Sequence, residues 1–295
     1  MIIMKIKAYN LVNSVVQEEL DAGLLAESYE VTVKDGKNIS LPDVFDSEIR
    51  QDLVKSAVHA SRANRRQPYG HREHDGKRAP QPGMKHSVEW WGKGRGVSRI
   101  MRKTGQRTAA QNPHTRGGRR AHGPMVAKDW SQKLNSKQKL LARNSAISAS
   151  MDKSIVSARG HKFSDETRFP IIIGDYMESR NGSDEKYDLE SIPLQYSTRK
   201  FVAMMEGLGL GDDLVRAKEG RKIRAGKATM RGRKYRTPKS VLLVVSKKEG
   251  LHKAAKNVPG VDVIATKDLC AEDLAPGGDI GRLTVWTKSA IEELE

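Results

Sequence analysis

Residues 241–265 read VLLVVSKKEGLHKAAKNVPGVDVIA, and they decide the fold class. The apolar run at 241–245, three of whose five residues are valine, is what a strand buried on both faces requires. Residues 249–257 then read as a helix, Pro259 and Gly260 as a turn, and 261–265 as a second strand. A strand, a helix and a strand in so few residues imply parallel strands with the helix lying across one face.

The same alternation extends in both directions. Downstream, Thr266 or Asp268 starts a short helix, Pro276-Gly277-Gly278 breaks it, 283–286 is a strand and 289–294 a final helix. Upstream, Ser197 or Thr198 caps a helix through Phe201, Val202, Met204 and Met205 that stops at Gly207, and 169–173 is a short buried strand. Ser136 caps a helix with Leu140, Leu141, Asn144, Ile147 and Met151 on one face, running to about residue 158 before Gly160. At the N-terminus, 4–12 alternates as a strand, 29–33 is its partner before an Asp35-Gly36 turn, and Asp46 or Ser47 caps a helix marked by Ile49, Leu53, Ala57 and Ala60. The expected fold is α/β: a mostly parallel, Rossmann-like sheet with helices on both faces, plus a long extended basic loop.

That loop is residues 61–128. It carries 17 basic residues against Glu73, Asp75 and Glu89, a net +14, and it contains no Leu and a single Ile, Ile100. A second cluster at 216–239 carries 11 basic residues against Glu219, a net +10. The chain as a whole is +17, so everything else together is −7. A mildly acidic body, 1–60 with 129–295, thus bears two strongly basic segments, which is the electrostatic footprint of a nucleic-acid binder. The helices flanking 61–128 can bring its ends together, making it an insertion rather than a linker between domains. Half of it, extended, could reach on the order of 100 Å at about 3.3 Å per residue.

The chemistry of the insertion is specific. GKGRG at 92–96 and GGRR at 117–120 set glycines, which let backbone approach phosphate, beside arginines with planar donor forks. Tyr69, Trp90 and Trp91 occur where no core can form, and an aromatic face stacks on an unpaired base for roughly 1–3 kcal/mol. The expected RNA contacts are Arg62, Arg65, Arg66, Tyr69, Trp90, Trp91, Lys93, Arg95, Arg99, Arg102, Lys103, Arg107, Arg116, Arg119 and Arg120. In the second cluster they are Arg221, Lys222, Arg224, Lys227, Arg231, Arg233, Lys234 and Arg236.

Other classes fare poorly. Cys270 is the only cysteine, which rules out an internal disulfide or a cysteine-based zinc cage and suits a reducing cytosol. The N-terminal MIIMKIKAYN lacks the parts of a signal peptide, and no apolar run is long enough to span a bilayer. GRKIRAGKAT at 220–229 resembles a P-loop, but five residues separate its glycines, Ala228 stands where a magnesium-binding hydroxyl belongs, and a helix precedes it. Gly207, Gly209 and Gly211 end a helix instead of opening one, so they are no dinucleotide fingerprint. His59, His71, His74, His86, His114 and His122 lie in or beside the insertion without a zinc spacing, and no nucleophile has a partnered base. No catalytic residue, metal or cofactor is expected.

Five strings identify a family: NRRQPYG at 64–70, WGKGRG at 91–96, GGRRAHGP at 117–124, MRGRKYR at 230–236, and LAPGG at 274–278 followed by GRLTVW at 281–286. In this order, over essentially the whole chain, they resemble the universal large-subunit ribosomal protein number four family in its archaeal and eukaryotic form. The chain ends soon after the last string, without the extension of eukaryotic members, which points to the archaeal type. Residues 71–86 (HREHDGKRAPQPGMKH) depart from that pattern by being more basic and richer in histidine. The resemblance implies a structural, non-enzymatic constituent of the large subunit that binds its ribosomal RNA, supports early assembly and works in the cytoplasm. It also implies a loop tip at the wall of the polypeptide exit tunnel, near ribosomal protein twenty-two and the passing nascent chain, with Trp91, Lys93, Arg95 and Arg99 tunnel-proximal. Two rivals remain open on the sequence: an RNA-processing enzyme with a cofactor site at the C-terminal ends of the 241–245 and 261–265 strands, and a DNA-compacting protein with a basic arm.

Overall fold

Two long strands, β1 (Lys5–Glu19) and β2 (Leu25–Ser40), open the chain as an antiparallel pair in register from Lys5 opposite Ser40 to Glu19 opposite Leu25. The computed structural model describes residues 4–19, 25–70, 87–122, 124–180, 183–192 and 197–294. It divides into two compact units, Met1–Ser61 with Lys133–Glu295, and Arg62–Gln132. Asp35 and Gly36 do not end β2: the register steps from Lys7 opposite Asn38 to Tyr9 opposite Asp35, so the extra residue makes a bulge inside the strand, not the expected turn.

Helix α1 (Gln51–Asn64) follows, and the second unit contains two short strands, β3 (Val88–Trp90) and β4 (Met101–Lys103). The body resumes with α2 (Ser136–Ala149) and α3 (Lys153–Ala158), where a single helix was expected. The break is local chemistry. The Ser150 hydroxyl donates to the Ile147 carbonyl at 2.7 Å, and the Asp152 carboxylate accepts from the Ser154 amide at 2.9 Å, capping a new helix two residues on. Asn135, not Ser136, occupies the cap position of α2. The buried face of α2 is Ala142, Ser145, Ala146 and Ala149 with Ile147, while Leu140 and Leu141, expected on that face, are exposed.

Next come β5 (Ile171–Arg180) and β6 (Ser183–Tyr187), then α4 (Ser197–Gly207) and α5 (Gly211–Glu219). A small excursion holds β7 (Lys222–Ile223), the one-turn α6 (Lys227–Met230) and β8 (Tyr235–Arg236). The valine run forms β9 (Leu242–Val245), followed by α7 (Gly250–Lys256), β10 (Asp262–Ala265), α8 (Ala271–Leu274), β11 (Thr284–Thr287) and α9 (Lys288–Glu292). Seven strands make one sheet in the order β10-β9-β11-β5-β1-β2, with β6 also on β5. The four pairs from β10 to β1 are parallel, and the pairs β1/β2 and β5/β6 are antiparallel.

Side chains alternate across the parallel strands, so each strand feeds two cores. Ile171, Ile173, Leu243, Val245 and Val285 join Leu11, Phe201, Met205 and Leu251 on one face. Ile172, Leu242, Val244 and Trp286 join Phe45, Val54, Val58 and Ile147 on the other, where Phe45 meets the Trp286 ring edge-on at 5.4 Å. The body is therefore mixed α/β with a mostly parallel central sheet and helices on both faces. No helix among the described residues is long and apolar enough to cross a membrane.

Candidate nucleic-acid interface

In the unit Arg62–Gln132, β3 and β4 pair antiparallel, with Val88 opposite Lys103, Glu89 opposite Arg102 and Trp90 opposite Met101. A third edge adds to β4: the Ala110 amide donates to Met101 O at 2.8 Å, and the Lys103 amide to Thr108 O at 2.9 Å. Period-two alternation puts Glu89 and Arg102 on one face and Val88, Trp90, Met101 and Lys103 on the other. Arg102 is buried, 7 % exposed, and its guanidinium donates to the carbonyls of Ser98, at 3.0 Å, and Arg107. It therefore holds the turn together from within and is not a free cation. The Trp91 indole donates to the Glu89 carboxylate at 3.2 Å, and the guanidinium carbons of Arg95 and Arg102 lie 4.5 Å and 5.5 Å from its ring centroid. Gly94, at φ +83°, takes the left-handed conformation that lets this tip fold over the indole.

Beyond the hairpin, the Thr115, Gly118 and Arg119 amides donate to the carbonyls of Asn112, Thr115 and Gln111. A Cβ at Gly118 would stand 2.0 Å from the Asn112 oxygen, so this turn admits only glycine. Arg116 and Arg120 are exposed and Arg119 is half-buried. The two ends of the unit are tied to each other. Asn64 Oδ1 accepts from the Gln132 amide at 2.8 Å, Tyr69 stacks on Trp130 at 4.9 Å and 27°, and Arg66 lies 4.4 Å over Trp130. Sequence reasoning misses Trp130, because it lies two residues beyond the basic run; its pairing with Tyr69 exists only in three dimensions.

The second basic segment sits on a polar pedestal in the body. Asp213, fully buried on α5, accepts from Ser240 Oγ at 2.6 Å, Arg216 Nε at 2.9 Å and the Lys162 amide at 3.0 Å, with His161 Nδ1 at 3.2 Å. Burial alone would raise its pKa, but the hydrogen bonds from His161 and Arg216 outweigh it and hold the carboxyl well below the usual range. Arg216 also donates to Lys239 O at 2.8 Å, joining the start of the 216–239 segment to its end. Lys239 pairs with Asp262 at 2.7 Å, and buried Arg282 pairs with the same carboxylate at 2.5 Å. So Arg216 and Lys239 belong to the pedestal. Arg221, Lys222, Arg224, Lys227, Arg231, Arg233, Lys234 and Arg236 are all exposed above it, together with Ile223, Met230 and Tyr235. Arg221 lies 4.3 Å over the Tyr235 ring.

Of the expected contacts in the insertion, Arg62, Arg65, Arg66, Tyr69, Trp90, Lys93, Arg95, Arg99, Arg107, Arg116 and Arg120 are exposed, and Trp91, Lys103 and Arg119 are half-buried. His71, His74, His86 and the divergent 71–86 stretch lie outside the described residues.

The crevice where a Rossmann-like enzyme would bind its ligand is outside the C-terminal ends of the parallel strands. Here a cavity of about 340 Å³ is lined by Gly174, Asp188, Glu190, Ser246, Thr287 and Lys288, among others. Three donors at this cavity already share an acceptor. Glu190, 8 % exposed, receives the amides of Ser246 and Lys247 and the hydroxyl of Thr287, each at 2.8 Å. A carboxylate of the chain itself thus takes up the amides and hydroxyl at the strand ends that could otherwise bind an anion.

Exposed cations are thus concentrated on two segments of the chain, the distribution that suits a polyanion-binding class of protein. The model of the ribosomal protein L4/L1 family matches residues 39–295. The chain is 44 % identical over 257 residues to the large ribosomal subunit protein uL4 of Methanococcoides burtonii, covering 87 % of this chain and 92 % of that protein. It is 41 % identical over 270 residues to the uL4 of Halobacterium salinarum, covering 90 % and 98 %, and 43 % identical over 257 residues to that of Methanothrix thermoacetophila, covering 87 % and 93 %. The chain belongs to the ribosomal protein L4/L1 family, and these relatives are archaeal, as the archaeal type of the resemblance anticipates.

Proposed function

We propose that this protein is a structural constituent of the large ribosomal subunit that binds its ribosomal RNA and performs no catalysis. In this reading the Rossmann-like body carries residues 61–128 as an extended, RNA-penetrating loop and 216–239 as a second RNA-binding segment. The observation that carries it is the pairing of identity above 40 % along nine-tenths of large-subunit relatives with a sharp division of charge. Among the described residues most cations of the two segments are exposed, and the remainder of the sequence is net acidic. Ribosomal RNA is a dense polyanion with splayed bases, and neutralising its phosphates releases counterions.

Supporting early assembly, and lining the exit tunnel with Trp91, Lys93, Arg95 and Arg99 beside ribosomal protein twenty-two and the nascent chain, follow from the same family resemblance. The cytoplasmic ribosome is the site of action. Glu190 argues against the enzyme rival, because a cofactor phosphate would have to displace a buried carboxylate from three hydrogen bonds. Two measurements test the reading. The chain should sediment with the large subunit in cell extract, and the purified protein should prefer large-subunit ribosomal RNA over duplex DNA throughout a salt titration. Equal affinity for the two polymers would favour the DNA-compacting rival instead.

A further inference from the structure

We propose that Trp90 is a docking platform for one unpaired nucleobase, while the other aromatic rings of its unit hold the protein together. The proposal rests on the RNA-binding reading above and assigns within it a task to one side chain.

The unit has four large aromatic residues, Tyr69, Trp90, Trp91 and Trp130. Three are engaged. Tyr69 and Trp130 stack on each other under Arg66, and Trp91 is fixed by Glu89 beneath Arg95 and Arg102. A guanidinium already lies over each of those three rings. Trp90 is 65 % exposed, and among the described residues no ring or cation stacks on it.

Its surroundings suit a nucleotide. Trp90 shares its hairpin face with Val88 on the same strand, Met101 directly opposite and Lys103 diagonally opposite. Met101 and Val88 are half-buried apolar neighbours on that face. A diagonal neighbour across an antiparallel pair lies about 7–8 Å away, within reach of a lysine, so the Lys103 ammonium can meet the phosphate of a nucleotide whose base lies on the indole. The one carboxylate of the hairpin, Glu89, lies on the opposite face and is held by Trp91. An exposed indole costs solubility unless something covers it, and a flat π-face beside a cation is how sequence-tolerant single-strand binders hold a base.

The test uses the full-length protein with large-subunit ribosomal RNA as the probe, comparing wild type with Trp90→Ala, Trp90→Phe and the charge variant Arg116→Gln/Arg120→Gln. Trp90→Ala should weaken binding about tenfold with an unchanged salt slope, whereas Trp90→Phe keeps most of the affinity. The charge variant should instead lower the salt slope. RNA should quench the fluorescence of wild type more than that of Trp90→Phe, and the thermal midpoint of the free protein should be the same in Trp90→Ala and wild type. Wild-type affinity in Trp90→Ala, beside weakened binding in the charge variant, would overturn the stacking role and leave the RNA-binding reading intact. A lowered midpoint in Trp90→Ala would overturn it too, showing that the indole packs within the chain. Loss of RNA preference in the wild type would overturn the functional reading itself.

Discussion

Replacing Glu190 with alanine should unmask the anion cradle at the strand ends. The wild-type carboxylate satisfies the Ser246 and Lys247 amides and the Thr287 hydroxyl at 2.8 Å each. Hydrogen bonds to a charged group contribute about 1.5–3 kcal/mol apiece, but they are not additive here. The cavity of about 340 Å³ beside them admits water that re-solvates part of what is exposed. A loss of about 3 kcal/mol is the reasonable expectation, worth roughly 6–12 °C in the thermal midpoint of a domain this size. Urea unfolding followed by circular dichroism measures it. Because the three donors remain in place, inorganic sulfate should restore part of the loss in Glu190→Ala and add much less to wild type, whose cradle is full. A variant as stable as wild type, or one that sulfate stabilises no more than wild type, would refute the idea that Glu190 substitutes for a ligand.

Three further outcomes follow from the same geometry. Asp213→Asn should cost about 3 kcal/mol at neutral pH, since it leaves Arg216 and the Lys162 amide facing a weaker acceptor. The folded carboxyl lies below the ordinary value of about 3.9, so its contribution is full above that pH and is lost as pH falls below it. The variant's stability should therefore fall less steeply than wild type's in acid, and an unchanged acid slope would contradict this. Excising 62–132 and bridging the gap with a short Gly-Ser segment should leave a body that melts cooperatively, because among the described residues neither apolar core draws on that unit; a broad, non-cooperative melt in calorimetry would show otherwise. Changing Arg231, Arg233 and Arg236 to glutamine should weaken RNA binding and lower its salt slope by about one for each phosphate left without its cation, while Lys239→Gln, which breaks a pedestal pair, should chiefly lower stability.

Strands β9, β10 and β11 were legible to within one residue, whereas β5, expected at 169–173, runs on to Arg180, and β1, expected at 4–12, runs on to Glu19. Runs such as VLLVV at 241–245 are buried on both faces, where no polar residue is tolerated and the apolar signal is at its strongest. Toward the sheet edge the signal weakens: the SDEKY of β6 is polar throughout, pairs only with β5 and was not anticipated. The Asp35-Gly36 pair has the composition of a turn yet sits within β2, because the facing strand continues past it and supplies partners on both sides. Leu140 and Leu141 misled for a related reason: helical spacing marks a face, but which face meets the sheet depends on neighbours far away in sequence. In the candidate site, the two basic clusters could be read by charge alone. The division of labour within them could not. Arg102, Arg216 and Lys239 have the same composition signal as Arg116 or Arg233, yet they donate inward to carbonyls or carboxylates of the fold.

The amino-acid order by itself determined an α/β body, two cationic segments too poor in aliphatics to build a core, and the family to which the chain belongs. These are properties of local composition, period and motif, which any window of the chain carries unaided. Only the tertiary structure decided which cations face solvent, which aromatic ring is left uncovered, and that Glu190 occupies the donors at the strand ends. Each of those depends on a partner that is distant along the chain, such as Trp130 for Tyr69, Lys239 for Arg216 and Thr287 for Glu190, and such pairs come into being only once the backbone has folded.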